Sequence, residues 1–136
     1  MWAEVDMDVG VDIVEIARVQ RAVGRHEAGM RRRVYTELEW TQCSKSIASL
    51  AGRFAAKEAV MKSLGVGGMA FRDIEIVRSR SGKPEVQLTG RMERRATSLG
   101  VTAITVSISH SRDNAVAVAI AERGIGSAAG VEAAPS

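Results

Sequence analysis

The stretch from Leu50 to Leu64, LAGRFAAKEAVMKSL, constrains the chain more than any other. Gly is its only weak helix former and no Pro or β-branched run interrupts it, so it reads as one helix. At about 100° per residue, Leu50, Phe54, Met61 and Leu64 share an apolar stripe, and Ala51, Gly52, Ala55, Ala56 and Ala59 form a small-residue face opposite. Small residues let another backbone approach closely. Arg53 and Lys57 interrupt the stripe, while Glu58 and Lys62 lie between the two faces. A surface helix would segregate these charges. The pattern predicts a helix packed on most sides, with its charges inside or at a seam.

A chain of 136 residues fits one domain. Apolar residues make up 46% of it and aromatic residues only 4%, so the expected core is aliphatic. The single Cys43 can form no intrachain disulfide, and a reducing compartment follows as the expectation. Acidic residues at 4, 6 and 8 without a basic flank argue against a signal peptide. With no apolar run long enough to span a bilayer, a cytoplasmic protein without membrane contact is expected.

The net charge of +3 is unevenly placed. Between Val14 and Arg33 stand Arg18, Arg21, Arg25, Arg31, Arg32 and Arg33 against Glu15 and Glu27. Such density suits an acidic partner, protein or nucleic acid. The five aromatic residues of the chain leave little for base stacking. A basic nucleic-acid module therefore stands only as the alternative reading.

From Val5 to Ile13, apolar side chains at odd positions alternate with Asp6, Asp8, Gly10 and Asp12. This predicts a strand with its odd positions buried. A short helix is expected over Glu15–Val23, and Thr36-Glu-Leu-Glu has the form of a capping box opening another near Glu37. The central helix should begin near Ser44 or Ser46 and stop at Gly65. Two alternating runs around Ser79-Arg80-Ser81-Gly82-Lys83-Pro84 read as a hairpin. A short basic helix over Gly90–Leu99 follows, then a second hairpin of Ala103–Ser109 and Asn114–Ile120. Residues 1–123 form the expected domain, and residues 124–136 an expected disordered tail. The element order is α+β, with a mainly antiparallel sheet against the central helix.

The block Arg53-Phe54-Ala55-Ala56-Lys57-Glu58-Ala59, followed by Lys62, resembles the [WF]xxKExxxK signature of the 4′-phosphopantetheinyl transferases, in particular the short holo-(acyl-carrier-protein) synthase type. Gly10-Val11-Asp12-Ile13, Gly82-Lys83-Pro84 and Ser107-Ile108-Ser109-His110-Ser111 fall in the family's order. The resemblance spans about Val9 to Glu122. Trp40 departs from it, standing near a position where some members carry another acid.

The resemblance implies transfer of 4′-phosphopantetheine from coenzyme A to a serine of an apo acyl carrier protein, with release of 3′,5′-ADP. It makes Asp12 and Glu58 ligands of Mg²⁺, consistent with a hard cation that needs few protein carboxylates. Lys62 would stabilise or protonate the departing phosphate. The serine's proton would go to Glu58 or to a water on the metal. Arg53, Lys57, Gly82, Lys83, Pro84, His110 and Ser111 are implied coenzyme A contacts, and Arg18 and Arg25 are expected to dock the acidic carrier of fatty acid, polyketide or peptide synthesis. The family fold and a homotrimer with sites between subunits are also implied. A catalytically silent coenzyme A-binding scaffold of the same fold is the remaining alternative.

Overall fold

A computed structural model describes residues 5–68 and 70–124. Strand β1 (Val5–Glu15) leads directly into helix α1 (Ile16–Arg33), followed by α2 (Glu37–Cys43) and the central α3 (Ile47–Ser63). A 3₁₀ turn (Phe71–Asp73) precedes the hairpin of β2 (Ile74–Arg78) and β3 (Pro84–Leu88). Helix α4 (Gly90–Leu99) and the long hairpin of β4 (Val101–His110) and β5 (Asn114–Gly124) complete the order. β1, β5 and β4 form one antiparallel sheet with β5 central, and β2 pairs with β3 in a second. The α+β architecture read from the sequence is the one observed. Of the expected tail, Gly124 ends β5 and the remainder lies outside the described residues.

Helix α3 lies on the inner face of the three-stranded sheet, and the contact is made by small residues on both sides. Ala115, Ala117, Ala119 and Ala121 of β5 are fully buried, as are Ala51, Ala55, Ala56 and Ala59 of α3. A Cβ at Gly10 would fall 2.0 Å from the Ala59 carbonyl oxygen and 2.7 Å from the Ser63 nitrogen. No side chain fits there. One at Gly52 would lie 2.9 Å from Ile108 Cγ2. This close approach explains the small-residue face of α3 and brings the strand carrying Asp12 against the helix carrying Glu58.

The same approach overturns the expected orientation of β1. Its even positions face α3, with Gly10 and Val14 buried. Met7, Val9, Val11 and Ile13 point outward and are 54–66% exposed. On β5, Val9, Val11 and Ile13 meet Ile120, Val118 and Val116 in register, and Met7 meets Glu122, so most of the outer face of the sheet is an apolar surface. Alternation distinguishes two faces of a strand, but not which of them the chain itself covers.

Helix α1 also exceeds the expected Glu15–Val23, continuing to Arg33 across a break at His26, where φ is −141° and ψ is 49°. Gly24 and Gly29 weaken the helical signal there. The second half is held by the packing of Met30 on the core and by the Arg31–Glu37 pair at 3.0 Å, and it ends on three arginines that complement the helix dipole. The capping box is present as read. The Thr36 hydroxyl accepts from the Glu39 N–H at 3.2 Å, and the Thr36 N–H donates to Glu39 Oε1 at 2.8 Å.

Candidate active site

Two clefts flank α3. In the first, Asp12 of β1 and Glu58 of α3 share a wall with Phe54 of α3 and face Arg18 and Met30 of α1. Lys62, one turn beyond Glu58, donates to Asp12 Oδ1 and to the Val11 carbonyl, each at 3.0 Å. The three residues that the signature and the first strand singled out thus converge. Burial pushes the Glu58 carboxyl above its ordinary range; the nearby charge of Asp12 adds to the rise, and Lys62 opposes it. Two carboxylates that repel each other beside solvent form a site that a divalent cation would relieve.

The second cleft is lined by Gly52 and Arg53 of α3, Arg78 of β2, Gly82 and Pro84 of the hairpin, and His110 at the end of β4. Arg53 is buried to 6% exposure, and its Nε has no hydrogen-bond partner among the described residues. A buried guanidinium keeps its charge and favours an anion opposite it. With Arg78 and His110 beside it, the cleft has the chemistry of a phosphate site. Clefts one and two meet α3 at Phe54 and Gly52, about 160° apart around the helix. They therefore open on roughly opposite sides of α3 within one chain.

Of the seven residues expected to contact coenzyme A, four line this second cleft: Arg53, Gly82, Pro84 and His110. Lys83 is exposed between two of them, and Ser111 closes the turn after β4, its hydroxyl accepting from the Asn114 N–H at 3.3 Å. Neither lines the cleft. Lys57 is a correction. Its side chain is fully buried, its ammonium lies 2.6 Å from Glu39 Oε1 and donates to the carbonyls of Val34 and Phe71. Burial pulls its pKa down, opposed by the Glu39 charge. An ammonium with all three donors engaged in the core has none left for a nucleotide.

Arg78 is a lining residue that the sequence reading passed over. Its signal was available, because period-two alternation puts Arg78 on the same side of β2 as the buried Ile74 and Ile76. A charge at such a position needs a reason. Arg18 and Arg25 are exposed on α1 as expected, and Arg18 stands in the wall of the Asp12 and Glu58 cleft.

Comparison with known proteins gives these clefts a context. The family model of the 4′-phosphopantetheinyl transferase superfamily matches residues 8–121. Among curated relatives, the holo-(acyl-carrier-protein) synthase of Herpetosiphon aurantiacus is 44% identical over 82% of this chain and 94% of its own. That of Moorella thermoacetica is 46% identical over 85% and 94%. Among solved structures, the Helicobacter pylori holo-(acyl-carrier-protein) synthase in complex with coenzyme A superposes with a TM-score of 0.76 at 33% identity, covering 83% of this chain and 98% of that one. A Plasmodium yoelii acyl carrier protein synthase with ADP bound gives 0.80 at 29% identity over 89% and 98%. From the match along nearly the whole fold, together with the signature on α3, the chain belongs to the 4′-phosphopantetheinyl transferase superfamily, with the short holo-(acyl-carrier-protein) synthases as its relatives.

Proposed function

We propose that this protein transfers 4′-phosphopantetheine from coenzyme A to a serine hydroxyl of an apo acyl carrier protein. The observation that carries the reading is the meeting of Asp12 and Glu58 in a cleft walled by a basic helix, with Lys62 bonded to Asp12 beside it. The serine oxygen attacks the phosphorus bearing pantetheine, the bond from that phosphorus to the oxygen of the other phosphate breaks, and 3′,5′-ADP leaves with the electron pair. Such a reaction depends on positioning and on neutralising phosphate charge.

Asp12 and Glu58 would hold Mg²⁺. When bound, it supplies Lewis-acid polarisation of the phosphates. Glu58, in the wall of the same cleft, would be within reach to accept the serine proton. Lys62 is half exposed on a flexible stem, so its ammonium can turn from Asp12 toward the departing phosphate. Arg53, Arg78 and His110 would hold a phosphate group of coenzyme A in the second cleft, with Gly82 and Pro84 against the adjoining part of the nucleotide. Lys83 and Ser111 would contribute from the rim.

The proposed assembly is a homotrimer. The exposed apolar face of β1 and β5 supports association, and the opposed clefts support sites completed by a neighbouring subunit. Cytoplasmic residence is proposed from the unpaired Cys43; among the described residues no helix is long and apolar enough to cross a membrane. Incubation with coenzyme A, Mg²⁺ and an apo carrier should add one phosphopantetheine arm to the carrier by mass spectrometry. An unmodified carrier under these conditions would reject the reading.

Carrier docking on α1 yields a separate prediction. Arg25→Glu should raise the KM for the carrier about fivefold while leaving the Kd for coenzyme A unchanged, a cost of about 1 kcal/mol for a rim contact. Arg18→Glu should weaken the carrier as well, with the less selective effect expected of a residue that shares a wall with Asp12 and Glu58. Added salt should slow the parent and the Arg25 variant unequally, the parent more. An unchanged carrier KM in both variants would put the docking surface elsewhere.

A further inference from the structure

The signature lysine left unused by the clefts has a place of its own. Lys57 precedes Glu58 on α3, yet its ammonium reaches three other elements: the Glu39 carboxylate on α2, the Val34 carbonyl at the end of α1, and the Phe71 carbonyl in the 3₁₀ turn. Two of these bonds continue into the cleft of Asp12 and Glu58. The Val34 N–H donates to the Met30 carbonyl at 2.9 Å, and Met30 lines that cleft. The Phe71 ring stacks on Phe54 with centroids 5.3 Å apart, and Phe54 lines the same cleft. Glu39 completes the frame by accepting from the Ile76 N–H at 2.7 Å, which ties the hairpin to α2.

We infer that Lys57 is a positioning residue of the transfer reaction, fixing the cleft walls at Met30 and Phe54 relative to Glu58 and thereby the approach of the carrier serine. This rests on the proposed reading of that cleft as the reaction centre. A buried ion pair is weak evidence for stability, because apolar replacements of the whole pair are often neutral. An ammonium has three donors, and here each ends on a different element. Such a junction sets relative position. A displacement of about 1 Å in a reacting geometry costs on the order of a hundredfold in rate.

The test separates rate from stability by using Lys57→Met alone and combined with Glu39→Gln. The single variant strands a buried carboxylate and should melt well below the parent. The double variant removes the stranded charge and should recover part of that loss, while the bonds to Val34 and Phe71 stay absent in both. With the full-length protein, at a temperature where each variant is folded, kcat with apo carrier should fall about tenfold or more in both, with the Kd for coenzyme A within about twofold of the parent. If the single variant does not fold, the double variant carries the measurement. A folded double variant with kcat within about twofold of the parent would overturn the inference, as would a loss of coenzyme A affinity matching the loss of rate. A parent that leaves the carrier unmodified would remove the underlying reading as well, whereas an active parent with an equally active double variant removes the inference alone.

Discussion

Asp12→Asn and Glu58→Gln should each lower transfer to the carrier by about a hundredfold or more while leaving a folded protein. A cation polarising the phosphates contributes several kcal/mol to the barrier, and each 1.4 kcal/mol or so is a tenfold change in rate. Neutral amides are poorer ligands for a hard cation. Stability should move the other way at Glu58. Its carboxyl is pushed above the ordinary range by burial and by Asp12, so the folded state binds this proton more tightly than the unfolded chain does. The contribution of Glu58 to stability is therefore greatest below the ordinary carboxylate range and falls as pH rises through the raised pKa. Glu58→Gln removes that fall and should melt at or above the parent near neutral pH. Asp12→Asn loses only the pair with a half-exposed lysine, a contact of small worth.

A second readout tests the metal assignment apart from turnover. Mg²⁺ that binds the folded protein must raise its melting temperature by mass action. The parent should show this rise, and both variants should lose it. Transfer that persists in excess chelator, or a Mg²⁺ stabilisation retained by Glu58→Gln, would remove Asp12 and Glu58 as ligands.

The elements of this fold were legible because each carries local chemistry. The capping box at Thr36 and Glu39, the Ser46 cap of α3 and the positive φ of Gly100 after α4 depend on neighbours in the chain. The convergence of Asp12 with Glu58 and Lys62 was legible only through the signature, since no local rule joins β1 to α3. What the sequence concealed depends on partners distant along the chain. Lys57 was assigned to coenzyme A only through the resemblance, and its real partner, Glu39, eighteen residues earlier, had already been explained as a cap. The Glu39 carboxylate serves both roles, one oxygen near the Thr36 N–H and Lys57, the other on the Ile76 N–H. The outward face of β1 was misread for a related reason. Its apolar residues are real, but the surface that would cover them is not supplied by the described chain.

That uncovered face leads to the prediction with the clearest stoichiometry. In the proposed closed trimer, one subunit contributes Asp12 and Glu58 to a site and its neighbour contributes His110, because the two clefts of one chain open on roughly opposite sides of α3. His110→Ala and Asp12→Asn should each give little transfer alone. Co-expressed, some interfaces pair an intact carboxylate half from the His110 variant with an intact phosphate half from the Asp12 variant. Random mixing at equal amounts puts the required variant on each side in about a quarter of the interfaces of a cyclic oligomer, so about a quarter of parental activity should return. Variants purified separately and mixed without subunit exchange should stay inactive. Mixed oligomers verified by native mass spectrometry but showing no recovery would place His110 and Asp12 in the service of the same chain's site, and would require the clefts to communicate around α3 instead of across subunits.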